Sequence, residues 1–394
     1  MPALSALLCS AVLTVAQEPG SCAVCHGREA LALSRSPHLA AGVGCTACHG
    51  GVDGLLEQEA AHGPELRPLR DPGSAVEACG SCHADVGRMR TFGLATDQLA
   101  LYRTSRHGQA VFERGDAQSA TCVSCHGAHD VLPPADARSP VHERNQVATC
   151  GRCHSDAALM QARGLRSDAP ELYRDSVHGR ALLQEGRRAS PACSDCHGSH
   201  GAVPPRAEAV GTVCGQCHAM AAEYFRAGPH GPTARHGAME ECVSCHGNHA
   251  VSQASAELLL GSEPGHCGSC HAGEEDVLAV AAGIHDRLAA LDRDILDTAE
   301  VLRRAASRGL FLEEEEAYLG DARGLRERAR GMTHSASLEL LADVDNRGQA
   351  MIQQTLESLD VKRRQFRDRR IFTAAYAVVA ALLVAVLLIY RREL

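Results

Sequence analysis

The apolar positions of this 394-residue chain fall into four regimes. Leu4 to Val15 form an uncharged apolar run, and the small residues Thr14 and Ala16 suit a cleavage site, so residues 1–17 read as a secretory signal. From 18 to 272 the apolar residues come in brief clusters between Gly, Pro, Ser and Asp, which predicts short helices and turns rather than sheet. Beyond His271, Val277, Ala281, Ile284, Leu288, Leu291, Ile295, Thr298 and Leu302 recur at steps of four and three, the heptad seam of a long amphipathic helix that Gly309 stops. A second long helix is expected from the acidic run at 313–316, whose charge suits a helix N-terminus. It carries Leu325, Ala329, Met332, Leu338, Leu341, Ile352, Thr355 and Leu359. An antiparallel, coiled-coil-like hairpin over 273–370 is the simplest arrangement, with a homodimer through the same seam as its alternative. The second helix runs on into 371–390, a stretch without a charge and long enough to span a bilayer as a transmembrane helix, and leaves a tail at 391–394.

Internal repetition organises the second regime. Leu101, Tyr102, Arg103, Ser105, His107, Gly108 and Ala110 recur as Leu172, Tyr173, Arg174, Ser176, His178, Gly179 and Ala181, a shift of 71 residues. The shift continues through Cys122–His126 with His129, which become Cys193–His197 with His200, and then breaks around His142 and Asn145. A shortened third copy follows with His236, Cys242, His246 and His249.

Composition changes the picture of how such a chain could fold. There is no Trp, aromatic residues make up only 3%, and Lys362 is the sole lysine, so the side chains that usually fill a core are scarce. Against this stand 19 Cys and 22 His. Eighteen of the cysteines form nine Cys-x-x-Cys pairs, each followed at once by His. They are Cys22, Cys25 and His26; Cys45, Cys48 and His49; Cys79, Cys82 and His83; Cys122, Cys125 and His126; and Cys150, Cys153 and His154. The remaining four are Cys193, Cys196 and His197; Cys214, Cys217 and His218; Cys242, Cys245 and His246; and Cys267, Cys270 and His271.

In this motif two thiols add to the vinyl groups on one edge of a haem and the adjacent His reaches the iron as proximal ligand. Paired zinc knuckles are the competing chemistry, but nine pairs cannot partner evenly and zinc leaves the invariable His unexplained. The expected fold is therefore mostly irregular chain and short α-helices wrapped around nine c-type haems, with the porphyrins filling the interior. Haem attachment of this kind takes place outside the cytoplasmic membrane. Lys362, Arg363, Arg364, Arg367, Arg369 and Arg370 precede the apolar span and only Arg391 and Arg392 follow it, a bias that alone would put the preceding side in the cytoplasm. The attachment chemistry overrides it: the expectation is an inner-membrane protein with its haem side in the periplasm, the basic cluster meeting anionic lipid or a partner. A net charge of −9 excludes nucleic acid as a natural partner.

Thirteen further histidines can supply second axial ligands, which make an iron six-coordinate and favour electron transfer. His38, His62, His107 and His178 are candidates, the last two within Ser-x-His-Gly. His129, His200 and His249 lie three residues after a proximal His, too close to reach the same iron and so presented to a neighbour. His142 and His236 are among the thirteen as well. For His230, His266 and His285 a surface role weighs equally, and His334 on the second long helix is either a ligand or a solvated position. Met89, Met160, Met220 and Met239 are weaker alternatives.

Tyr-Arg-x-Ser-x-His-Gly-x-Ala, Cys-x-x-Cys-His-Gly-x-His, the Pro-Pro that follows, and Arg-Ser-Pro-Val-His before Thr-Cys-Gly-Arg-Cys-His resemble the multihaem cytochromes c of the doubled-CxxCH, or cytochrome c3-like, group. The chain is similar in this to decahaem respiratory cytochromes, over about residues 20–272. The resemblance implies electron transfer in bacterial respiration and distal roles for His107, His129, His142, His178, His200, His236 and His249. One departure is that Val52 stands where the second site would carry its Gly-x-His histidine.

The function expected is that of a membrane-anchored electron carrier between a quinol-oxidising or cytochrome b-type membrane subunit and periplasmic or outer-membrane redox proteins. It is a carrier rather than an enzyme, with no catalytic residue of its own. The alternative is an oxidoreductase acting on nitrite, hydroxylamine or a sulfur compound at a five-coordinate haem. A Cys-x-x-Cys-Lys site of the nitrite reductase type is excluded, since Lys362 is the only lysine.

Overall fold

The computed structural model describes residues 20–235, 239, 241–261 and 266–393; the expected signal segment 1–17 and His236 lie outside the described residues. The described residues are helical, with no strand among them. Two compact units share the chain, one of Met1–Pro205 with Asn248–Ser252 and one of Arg206–Gly247 with Gln253–Leu394. The helices of seven residues or more are numbered here: α1 (Gly27–Leu33), α2 (Pro72–His83), α3 (Gln98–Thr104), α4 (Arg106–Arg114), α5 (Gln146–His154), α6 (Ala169–Asp175) and α7 (Val177–Leu183) in the first unit. In the second they are α8 (Ala207–Gly215), α9 (Ala219–Ala227), α10 (Glu275–Ala306), α11 (Glu313–Met332) and α12 (Leu338–Glu393).

The first unit has few deeply buried apolar side chains, Val76 and Leu182 among them. Its order comes instead from local polar closure. Asp71 caps α2 by accepting from the Ser74 amide, and Ser105 and Ser176 cap α4 and α7 in the same way. The insert that interrupts the repeat is a hydrogen-bonded loop. Asn145 Nδ2 donates to the carbonyls of Ala137 and Ser139, and Thr149 Oγ1 donates to that of Pro140 at 2.7 Å.

The second unit holds the apolar core. Ala281, Ile284, Leu288, Leu291, Ile295, Thr298 and Leu302, seven of the eight seam positions, are buried on α10. Their partners are Leu319, Ala322, Ala329 and Met332 of α11 and Leu341, Val344, Ile352 and Leu359 of α12. The seam is thus filled within the chain. Each Leu, Ile, Val or Met among these contributes roughly 1.5–3 kcal/mol by its removal from water, enough to make this the best packed part of the molecule.

Three helices, not the two of the expected hairpin, build this core. The second long helix breaks at 333–337, because Thr333 Oγ1 donates to the Arg330 carbonyl and Ser335 Oγ to that of Met332, drawing the backbone out of register. Ala336 adopts a left-handed conformation (φ 50°, ψ 34°), and Ser337 accepts from the Leu340 amide to start α12. Cross-links fix the directions. Arg287 with Asp345 and Asp294 with Gln349 run in parallel order along α10 and α12. Glu315 with Lys362 at one end, and Ala329 and Met332 with Leu341 and Val344 at the other, set α11 antiparallel to α12. From 371 to 390, α12 carries an apolar window of mean hydropathy 2.7 with none of it buried, long and apolar enough to cross a membrane.

Glu315 is completely buried near the start of α11, where its carboxylate accepts from Ser358 Oγ at 2.6 Å and Lys362 Nζ at 2.7 Å. Burial pushes its pKa up, but the hydrogen bonds from Lys362 and Ser358 outweigh burial and hold it below the ordinary carboxylate value. The bond therefore stabilises the bundle fully above the ordinary carboxylate range and is lost as pH falls through the depressed value. Lys362→Met is expected to cost about 3 kcal/mol by leaving a buried charge unpaired, and adding Glu315→Gln should recover most of it. Denaturant unfolding followed by helical circular dichroism at neutral and acid pH checks both, and the single variant should lose its deficit at low pH.

Candidate functional site

The nine Cys-x-x-Cys-His segments, numbered here as sites 1 to 9 along the chain, lie mostly on short helices or at the ends of longer ones. Cys45–His49, Cys122–His126 and Cys193–His197 are five-residue helices; sites 3 and 5 close α2 and α5. At site 4 the Ser124 hydroxyl accepts from the Thr121 amide, and at site 6 the Asp195 carboxylate accepts from the Ala192 amide, so each short helix is capped one residue before its first cysteine. After the histidine, Gly127, Gly198 and Gly247 have φ of 81°, 78° and 72°. A side chain there would be strained, and the turn carries the next histidine away from its own motif.

The structure places a second imidazole against eight of the motif histidines. His26 faces His62 with ring centres 6.1 Å apart, His49 faces His129 at 6.1 Å, and His83 faces His38 at 6.0 Å. His126 faces His200 at 6.0 Å, His154 faces His107 at 6.1 Å, and His197 faces His249 at 5.8 Å. In the second unit His246 faces His334 at 6.1 Å and His271 faces His230 at 6.0 Å. His178 and His218 each have an interaction of their own.

These separations hardly vary although the ring planes range from 8° to 80° apart. Rings packed directly on each other would come closer when parallel than when crossed. A constant gap fits one atom held between two ring nitrogens: two metal–imidazole bonds of about 2.0–2.1 Å, with the ring radii, put the centres roughly 6 Å apart. Among the described residues no group of three or more His, Cys, Asp or Glu could hold an ion. Two axial nitrogens with two thiols beside them are the donor set a covalently attached metalloporphyrin takes, since the macrocycle brings the other four nitrogens. The residues present therefore fit haem c.

Several rings are held at Nδ1, which leaves Nε2 for the partner. Nδ1 of His38 lies 3.1 Å from Ser36 Oγ, that of His334 3.0 Å from the Gly331 carbonyl, and that of His271 3.2 Å from Glu274. Burial, joined by the facing histidine, pushes the pKa of His38, His107, His230 and His246 down. The neutral ring, the ligating form, is favoured.

The repeated Tyr-Arg-x-Ser-x-His-Gly segment explains its own residues. Ser105 Oγ donates to the Tyr102 carbonyl at 2.6 Å and accepts from the Gly108 amide at 2.9 Å, and Ser176 does the same between Tyr173 and Gly179. Tyr102 and Tyr173 donate to the carbonyls of Ala120 and Pro191 just before sites 4 and 6. A Cβ on Gly108 or Gly179 would collide with the carbonyl of Tyr102 or Tyr173. The Gly-x-His segments obey a second rule. His129, after site 4, faces the histidine of site 2; His200, after site 6, faces that of site 4; and His249, after site 8, faces that of site 6.

Consecutive sites also touch. The thiols of neighbouring motifs come close together. Those of Cys22 and Cys45, Cys79 and Cys122, Cys150 and Cys193, and Cys214 and Cys242 hydrogen-bond in pairs. Cys48 lies within electrostatic reach of Cys79 and Cys82, Cys125 of Cys150 and Cys153, and Cys245 of Cys267 and Cys270. Sites 1 to 6 in the first unit and 7 to 9 in the second are therefore spatial neighbours in sequence order.

Of the expected second ligands, His38, His62, His107, His129, His200 and His249 stand opposite a motif histidine. His142 is buried elsewhere, its Nδ1 accepting from the Arg144 amide at 3.3 Å. His230 and His334 were outside the expected set. His230 could have been found, for Gly231 follows it as Gly108 follows His107, and a Cβ there would strike the Arg226 carbonyl. Nothing local marks His334. Comparison with protein-family models, with curated proteins and with solved structures found no match for this chain.

Gly108→Ala and Gly179→Ala are each expected to cost roughly 1–3 kcal/mol through enforced backbone displacement, whereas Gly320→Ala, where a Cβ meets open space, should cost nothing or stabilise. Thermal unfolding of the three variants checks the difference.

Proposed function

We propose that this chain is a membrane-anchored multihaem cytochrome c that carries electrons through nine covalently bound haems. Bound haem would supply the iron that cycles between ferric and ferrous states. The chain's own residues would do the rest. The eighteen motif cysteines would hold the macrocycles by thioether bonds and the nine motif histidines would ligate from one side. His62, His129, His38, His200, His107, His249, His334 and His230 would ligate sites 1, 2, 3, 4, 5, 6, 8 and 9 from the other.

The observation that carries the reading is the second imidazole facing those eight motif histidines at a constant distance. Two protein ligands close both axial positions, which favours a low reduction potential and electron transfer over substrate binding at iron. Neighbouring sites in sequence order supply the relay. The apolar stretch of α12 would anchor the chain in the cytoplasmic membrane with its haem side in the periplasm. The partners proposed are a membrane quinol-oxidising or cytochrome b-type subunit on one side and periplasmic or outer-membrane redox proteins on the other.

Expression in a host that matures c-type cytochromes should yield a chain whose intact mass carries nine haems, with a low-spin ferric spectrum, no carbon monoxide binding after reduction, and no turnover of nitrite or hydroxylamine. A high-spin site with turnover would establish the oxidoreductase instead. Electron paramagnetic resonance should resolve two kinds of low-spin signal, because axial ring orientation sets the splitting of the iron d orbitals. His126/His200 and His197/His249, at 8° and 16°, should give the rhombic kind, and His38/His83, at 80°, the broad ramp-shaped kind. His38→Met should diminish only the second.

A further inference from the structure

The three-helix bundle does more than anchor. Site 9 ends at His271 and α10 begins at Glu275, so this site lies at the start of α10. Site 8 meets the bundle at the same end, because His334, its facing imidazole, sits in the break between α11 and α12. The ring is held there by the Gly331 carbonyl, and the break is kept by Ala336 in a left-handed conformation that costs a non-glycine residue about 1–2 kcal/mol. A strained, polar interruption in an otherwise continuous seam needs a reason. Delivery of His334 to site 8 supplies one. Tyr224 of α9, with Ala256 and Leu259, packs on the apolar cluster at this end of the bundle.

The apolar stretch lies at the opposite end. α12 is one unbroken helix, and from Leu338 to Ile371 its rise of 1.5 Å per residue amounts to about 50 Å. Parallel α10 and antiparallel α11 pack along it as far as the Glu315–Lys362 bond, which opposes bending. Even at a tilt of roughly 40°, the upper end of what membrane helices show, the His334 end would stand about 38 Å from the bilayer's apolar edge.

We infer that α10–α12 form a spacer stalk, pinned at its top by His334, that holds sites 8 and 9 well clear of the bilayer, and that these sites exchange electrons with a protein surface rather than with a quinol dissolved in the membrane. The inference rests on the reading of the motifs as haem sites. Electron tunnelling falls exponentially with distance, so no single step crosses a stalk of this length. The partner must itself reach up to sites 8 and 9.

Three measurements on the full-length haem-loaded chain test this. Electron cryomicroscopy in lipid nanodiscs should place the irons of sites 8 and 9 no closer than about 30 Å to the apolar edge of the bilayer; a bundle lying flat on the lipid would overturn the inference. In proteoliposomes a long-chain quinol confined to the bilayer should leave the haems oxidised while dithionite reduces them promptly, and fast quinol reduction would refute the protein-partner conclusion. His334→Ala should open one axial position, seen as one equivalent of carbon monoxide bound, and His334→Met should close it again with an altered spectrum. An unchanged spectrum in His334→Ala would remove the pin. A wild-type chain free of covalent haem would overturn the haem reading itself, whereas a collapsed stalk in a chain with nine haems defeats this inference alone.

Discussion

Paired imidazoles held about 6 Å apart are the constraint around which this molecule is arranged. A chain with no Trp and few aromatics cannot bury enough apolar surface over its first 250 residues to offset the entropy of ordering them. What it possesses is a set of histidines drawn from distant segments and aimed at one another in pairs. Each pair ties two parts of the chain together at a point, and haem bound between them would supply the missing apolar volume. The caps, the glycines after each motif and the Tyr-Ser-Gly turns of α3–α4 and α6–α7 serve the same end, since each fixes where one imidazole points.

Site 8 shows how the two physical regimes of the chain meet. Most pairs join two segments outside the bundle, but His246 and His334 join a short motif helix to the packed helical bundle. The bundle has a conventional apolar core and would fold by ordinary burial, so it gives the motif-bearing segments of its own unit something rigid to stand on. Its heptad seam is used up internally by three helices, which leaves that seam to stability rather than association. The compact unit that contains the bundle accordingly takes in sites 7, 8 and 9, although composition changes only after His271. A break in composition marks where core-building changes, not where contacts end.

The order of the sites has a simple origin. Within each unit the cysteines of one site lie beside those of the next, so neighbours in sequence become neighbours in space. In the first unit the Gly-x-His segments add a longer stitch, His129 and His200 each reaching back two sites.

Much of this was legible in the residues themselves. The motif residues, the short-helix regime, the seam of α10 and the apolar stretch of α12 are local in origin: they depend on covalent chemistry, on capping and turn residues, or on periodicities carried by a single helix. That His129, His200 and His249 would face a motif other than their own was also readable, because three residues is too short a tether to turn one ring onto the other. Which motif each would meet was not, nor that His142 would lie apart, nor that His334 would be drawn out of a helix break to face His246. Those pairings join residues up to 88 positions apart in sequence. A histidine's identity and neighbours say that it can ligate; only the packing of α11 against α12, and the return of each loop onto an earlier helix, brings a particular ring within reach of a particular partner.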